Sequence, residues 1–223
     1  MGKIIVIEGT DASGKETQTG RLYEALAAAG KRVRKLSFPN YGTPACAPVE
    51  LYLSGGFGED PLRINPYPIS TMYAIDRYAS YQREWGAFYR EGGVLVTDRY
   101  VTSNMIHQGG KIIDPGEKLR YFHWLEDLEY EKMEIPRPDA VLFLNMPVET
   151  GIRLMEARKN KMDGRAAKDI HENSRTYLER AYANACEVAK LYGWKEIRCL
   201  RNNQLKSIEE IGNEILNFVK GLL

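Results

Sequence analysis

Residues 8–18 read E-G-T-D-A-S-G-K-E-T-Q. The frame Gly9-x-x-x-x-Gly14-Lys15 follows a short β-branched run and precedes a helical stretch, the setting in which such a loop holds phosphate. Glycines let consecutive backbone N–H groups curl around an anion. The helix start adds partial positive charge, and Lys15 can reach the outer phosphates of a nucleotide. In many such loops the next residue is Ser or Thr, whose hydroxyl ligates Mg2+. Here Glu16 stands in that place, with Thr17 after it. A carboxylate suits a helix start but repels a polyanion, so Glu16 either faces solvent or adds a hard oxygen to the Mg2+ sphere. The plain alternative is a tight strand–helix turn that binds nothing.

Three further stretches carry chemistry. Asp11 lies inside the loop itself. In V-L-V-T-D-R-Y-V-T-S-N (94–104) a strand ends in Asp98-Arg99-Tyr100. Ligands of α/β sheets gather at the carboxyl ends of strands, where an Asp can anchor Mg2+ through water and an Arg can clamp phosphate. A surface ion pair is the competing reading. In Y-A-I-D-R-Y (73–78), Tyr73 and Arg77 are four apart and share a helix face. An aromatic plane beside a guanidinium suits a base and its polar edge, against a core Tyr plus a surface Arg. The basic segment 156–168, E-A-R-K-N-K-M-D-G-R-A-A-K, follows the fourth apolar run; as a rule such a run is only a solvated face.

The elements that must position these residues alternate along the chain. Strands are expected at 4–7, 32–37, 94–97, 140–144 and 195–200, and helices at 22–29, 69–90, 115–131, 172–191 and 208–219. The strands are apolar on both faces, as in a parallel sheet covered by helices on each side. This predicts an open α/β sheet with right-handed crossovers. Residues 54–68, rich in Gly and Pro, read as a loop. With neither repeat nor linker, residues 1–223 are expected to form one domain. A net charge of +1 sets up no global basic field for nucleic acid or an anionic membrane. Cys46, Cys186 and Cys199 are odd in number and far apart, which fits a reducing compartment better than a disulfide framework. No apolar run approaches the roughly 18–20 residues of a membrane span. Neither a signal-peptide pattern nor a myristoylation pattern fits the first residues, so a cytoplasmic location is expected.

In this order and at these spacings, I-E-G-T-D-A-S-G-K-E-T-Q, F-P-N-Y-G (38–42), Y-A-I-D-R-Y, D-R-Y-V-T-S-N, P-D-A-V-L-F-L (138–144) and D-I-H-E (169–172) resemble the thymidylate kinases, P-loop enzymes that phosphorylate dTMP with ATP. The resemblance implies a three-layer P-loop kinase fold with a five-stranded parallel sheet flanked by helices. It implies an ATP phosphate loop over Gly9, Thr10, Asp11, Ala12, Ser13, Gly14, Lys15, Glu16 and Thr17, with Lys15, Arg99 and Asp11 at the centre of catalysis. Phe38 and Pro39 match the apolar wall of the dTMP pocket, Tyr73 the aromatic that stacks on thymine, Arg77 the arginine at the base edge, and Asn104 an amide that meets the base. Asp98 and Arg99 match the pair serving Mg2+ and the acceptor phosphate, with Tyr100 beside them; Glu16 is the second candidate Mg2+ ligand. Segment 156–168 corresponds to the lid over ATP, and Glu172 to an acidic residue at its far hinge. A homodimer is implied as well.

Departures from the family pattern carry their own expectations. Ala12 and Ser13 occupy positions where some relatives have an arginine, so the phosphate-binding cations are expected from the lid, with Arg158, Lys159, Lys161 and Arg165 as candidates. Asn40 and Tyr41 stand where the family often has Arg, which leaves the Tyr41 hydroxyl as a substitute contact to the acceptor. His107 replaces a Tyr found near the sugar's 2′ position.

Phosphoryl transfer requires in-line alignment of two anions and neutralised charge, with no side-chain base for an acceptor that is already a nucleophile. Arg77 has donors only, which suits a keto oxygen of thymine and clashes with the amino group of cytosine. Two other readings stay open: a kinase for another (deoxy)nucleoside monophosphate, and a catalytically impaired nucleotide-binding regulator, for which Glu16 is the support. A GTPase switch fits poorly, because Arg201-Asn202-Asn203-Gln204 lacks the carboxylate a guanine edge requires; that loop is placed near adenine instead.

Overall fold

The computed structural model describes residues 1–159, 170–171 and 173–223, with side chains for all of these except 157–159. Five parallel strands form the central sheet: β1 (Lys3–Glu8), β2 (Val33–Ser37), β3 (Val94–Asp98), β4 (Ala140–Asn145) and β5 (Lys195–Arg198), in the order β2-β3-β1-β4-β5. Successive side chains of a strand face opposite sides. Ile4 and Val6 accordingly pack with Leu95 and Val141 on one face, and Ile5 and Ile7 with Val94, Val96, Leu142 and Leu144 on the other.

Helices cover both faces and make three layers. The Ile5/Ile7 side is closed by α1 (Lys15–Ala28), through Leu22 and Leu26, and by the last helix, which contributes Ile211, Ile215 and Val219. The opposite side is closed by α4 (Gly86–Arg90), α5 (Val101–His107), α6 (Pro115–Glu126) and α8 (Arg175–Leu191), through Phe88, Met105, Phe122 and Val188. Beyond them α2 (Ala47–Leu53) and α3 (Pro66–Ser80) pack on each other through Val49, Tyr52 and Ile69, and α7 (Val148–Lys159) sets Ile152 and Met155 in the cluster that α8 builds with Phe143. After β5, β6 (Leu200–Arg201) and β7 (Gln204–Leu205) pair as a small antiparallel ribbon, and α9 (Ile208–Lys220) ends the fold with a Ser207/Glu210 capping box. Among the described residues, no helix is long and apolar enough to cross a membrane.

Several element boundaries differ from the sequence expectation, each for a local reason. Helix α1 starts at Lys15 rather than 22, because its polar first turns bury Lys15, Gln18 and Thr19 beside the loop. The expected helix 69–90 begins earlier, where Asn65 caps Pro66–Tyr67 through its side chain, and is divided into α3 and α4 by a π-helical turn at Tyr81–Trp85. A second π-turn, Asp127–Lys132, follows α6. Helix α8 begins at Arg175 with Ser174 as its cap, and the strand expected to run to 200 stops at Arg198. Asn202 and Asn203, both with left-handed backbone (φ 51 and 62), then turn β6 back into β7.

Candidate active site

The carboxyl end of β1 runs straight into the glycine loop at the point where β1 lies between β3 and β4, the topological switch of the sheet. Gly14 caps α1 in a left-handed conformation (φ 88), which costs a glycine nothing. At Gly9 (φ 158) an added Cβ would come within 2.6 Å of Ser13 Oγ and 3.1 Å of the Leu144 carbonyl, so a side chain there would force the loop to shift. Lys15 is 7% exposed and folds back to donate to the Thr10 carbonyl at 2.8 Å. Burial, reinforced by the Arg99 charge, depresses its amine from 10.5 to about 8.

The next strand brings the counter-charges. Arg99, just past β3, sits at φ 66; its N–H bonds the Ile7 carbonyl, and Thr97 Oγ1 donates to its carbonyl at 2.6 Å. Its guanidinium donates from Nη2 to Asp11 Oδ1 at 2.5 Å and from Nη1 to His107 Nε2 at 2.7 Å. Burial alone would raise the Asp11 carboxyl, but the Arg99 guanidinium holds it well below the usual range. Beneath this pair Glu8 is fully buried and accepts from Thr102 Oγ1, Ser103 Oγ and the Tyr100 N–H, an arrangement that ties the end of β1 to the start of α5. Burial raises the carboxyls of Glu8 and Asp98, and the nearby Glu16 charge adds to the rise at Asp98.

One cavity lies beside the Arg99–Asp11 pair, with about 490 Å³ of atom-free space, part of it open to solvent. Asp11, Phe38, Pro39, Tyr41, Tyr73, Arg77, Arg99, Tyr100, Asn104 and His107, all singled out from the sequence as acceptor contacts, line it together. Glu172, and the lid cations Arg158, Lys159, Lys161 and Arg165, lie outside the described residues and side chains.

The bonding of individual side chains refines their expected parts. Arg77 is 1% exposed and commits Nε and Nη2 to Glu129, 2.6 Å each, while Nη1 makes only a long 3.4 Å contact to the Tyr100 carbonyl. Tyr100 lines the cavity and turns its hydroxyl to the Pro136 carbonyl (2.9 Å). Both nitrogens of His107 have partners, Arg99 at Nε2 and the Tyr177 hydroxyl at Nδ1 (3.3 Å). Tyr41 is largely exposed at the cavity rim. Glu16 and Thr17 are exposed on the first turn of α1, while Asp98 Oδ1 is buried without a hydrogen-bond partner, the kind of hard oxygen that a divalent cation or its water shell would satisfy. The residues present therefore fit Mg2+.

Leu53, Ser103, Gln108 and His171 also line the cavity and were not picked out from the sequence. Gln108 is fully buried with both amide atoms unpartnered. Its spacing of four from Asn104 was the available signal, since the two share one face at the end of α5. His171 stands in the D-I-H-E stretch, where only Glu172 was assigned a part; it reaches the site from beyond the fourth strand and lies 2.7 Å from the Tyr52 hydroxyl, stacked on Tyr177.

A comparison with protein families matches residues 7–215 to the thymidylate kinase model. The chain belongs to the thymidylate kinase family. The match begins at the end of β1 and runs into α9, so both the glycine loop and the acceptor cavity fall within the thymidylate kinase span. Thymidylate kinase of Mycobacterium tuberculosis is 30% identical over 192 residues, which cover 86% of this chain and 87% of the relative. Human thymidylate kinase is 28% identical over 216 residues, 96% and 88% of the two chains. A probable thymidylate kinase of Thermococcus gammatolerans is 28% identical over 222 residues, 99% and 97%.

Proposed function

We propose that this chain, acting as one domain in the cytoplasm, transfers the γ-phosphoryl group of ATP to dTMP, yielding ADP and dTDP for dTTP synthesis. The observation that carries the reading is the placement of Arg99 and Asp11: one ion pair belongs at once to the phosphate loop and to the wall of the acceptor cavity. A donor held by the loop and an acceptor held in the cavity would meet across that pair. Lys15 neutralises the outer phosphates of the donor, and Arg99 clamps the acceptor phosphate. Phe38, Pro39 and Tyr73 present apolar and aromatic surface to a base, and Arg77, Asn104 and Gln108 present its polar partners. No side-chain base is needed, and none is assigned.

Asp98 and Glu16 would hold Mg2+, which when bound supplies charge neutralisation and alignment of the phosphates. Two carboxylates suit this ion, which keeps waters and substrate phosphates as its other ligands. Segment 156–168, with Arg158 and Lys161, serves as the lid, and Glu172 as its hinge contact. A homodimer is part of the same reading: Ile75 and Tyr78 leave an exposed apolar face on α3, and Leu119 another on α6.

The deciding experiment follows ADP release from ATP and Mg2+ with dTMP, dUMP, dCMP, TMP and AMP as separate acceptors, beside Lys15→Ala and Glu16→Ser. Fast turnover with dTMP, absent in Lys15→Ala, is the expected result. ATP binding without turnover on any acceptor would reverse the reading in favour of a regulator.

A further inference from the structure

Arg77 and Glu129 form a bidentate ion pair that is sealed from solvent, with Arg77 1% exposed and Glu129 fully buried. Such a pair is a poor way to stabilise a core, because the cost of desolvating two charges offsets their attraction, and an apolar pair of the same volume does as well or better. Its presence here has another reason, which the geometry supplies. Glu129 binds the guanidinium side-on, through Nε and Nη2. That fork fixes the plane of the group and leaves Nη1, whose one contact is the long bond to the Tyr100 carbonyl, as the edge with unspent donors. Arg77 lines the acceptor cavity, whereas Glu129 does not touch it.

The carboxylate owes its place to an irregularity. It lies in the π-turn Asp127–Lys132, where the Met133 N–H reaches back to the Leu128 carbonyl, five residues earlier, and the Ile135 N–H bonds the Glu129 carbonyl. A π-turn inserts a residue into a helix and re-aims its side chains, a device found often near functional sites. One residue past this knot, the Pro136 carbonyl accepts from the Tyr100 hydroxyl. Residues 129–136 therefore hold two walls of the cavity from behind.

We infer that Glu129 is the positioning residue for base recognition: by clamping Arg77 side-on, it fixes the orientation of the donor edge that remains, so that a base edge carrying a keto oxygen is accepted and one carrying an amino group is refused. The inference rests on the reading of Arg77 as the base-edge donor. Glutamine at 129 would keep the volume but turn an amide N–H2 against the guanidinium, breaking one arm of the fork.

The test measures steady-state kinetics of Glu129→Gln, Arg77→Met and Arg77→Met/Glu129→Met with dTMP and dCMP, alongside thermal unfolding. Glu129→Gln is expected to raise KM for dTMP about tenfold and lower the dTMP-to-dCMP ratio of kcat/KM by a similar factor, with KM for ATP within about twofold of the parent. The Glu129 change should have no further effect on that ratio once Arg77 is Met. Should Glu129→Gln not fold, Glu129→Asp, which keeps the charge but shortens its reach, carries the same expectation. If Arg77→Met collapses the ratio while the Glu129 variants, folded, leave it intact, the pair only ties helices together and the inference falls. If Arg77→Met itself leaves the ratio unchanged, the base-edge reading fails and takes the inference with it.

Discussion

Arg99 and Asp11 are joined by a 2.5 Å hydrogen-bonded ion pair although 88 residues separate them, and the pair clips the phosphate loop to the turn that follows β3. With His107 on the other Nη, the guanidinium is aimed before any substrate arrives. Such preorganisation is where much of a phosphoryl-transfer barrier is lowered. Arg99→Ala should therefore reduce kcat with dTMP at least about 10²-fold. Asp11→Asn should reduce it less, and the double variant should fall short of the product of the two effects, because both act through one contact. A loss under about tenfold for Arg99→Ala would remove it from the centre of the mechanism.

The Lys15 amine, depressed to about 8 by burial and the Arg99 charge, gives ATP binding a pH signature. Below pH 8 the amine is already charged and meets the polyphosphate at full strength. Above it the free protein is neutral at this position and must take up a proton to bind, so affinity should fall by up to about tenfold per pH unit until the bound form also deprotonates. Lys15→Arg, charged throughout, should flatten the profile. Calorimetric titrations at pH 7, 8 and 9 test this, and identical slopes for the two proteins would contradict it.

Acceptor choice follows from unpaired donors rather than from the thymine methyl. A site left with buried polar groups unmatched discriminates by about 10⁴–10⁵, while one methyl is worth roughly 1–3 kcal/mol. dCMP should therefore be rejected strongly and dUMP weakly, as read from kcat/KM. Gln108→Leu, which removes the fully buried and unpartnered amide, should raise KM for dTMP while leaving KM for ATP in place. Comparable turnover of dCMP and dTMP would overturn this account of the pocket.

His171 is held neutral by burial, its pKa lowered from 6.5 to about 3. The unfolded chain protonates this imidazole near pH 6.5 and the folded one does not, so between these values the unfolded state binds more protons. The contribution is complete above pH 6.5 and is lost as pH falls towards 3. Across the pH unit from about 5.5 to 4.5, the parent should lose about 1.4 kcal/mol more stability than His171→Gln. Urea unfolding of the two proteins at matched pH measures the difference; parallel curves would show that the imidazole is not buried neutral.

What the chain alone determined about this protein was local. The glycine loop was legible because its work is done within seven residues, by φ angles and N–H groups that Gly9 and Gly14 make available. Tyr73 and Arg77 were legible as neighbours because helical spacing of four puts them on one face, and the β-branched runs 4–7 and 94–97 declared a buried parallel sheet by being apolar on both sides. Only the tertiary structure decided what those residues hold. Glu129 lies 52 residues from Arg77, and Tyr52 lies 119 from His171, distances at which no periodicity carries information. The two π-turns were equally hidden, since a single inserted residue changes where a side chain aims without changing the composition of the helix around it. Short-range backbone preferences wrote the elements and the loop; the sheet order, which sets β1 between β3 and β4, decided which charges would meet at its edge.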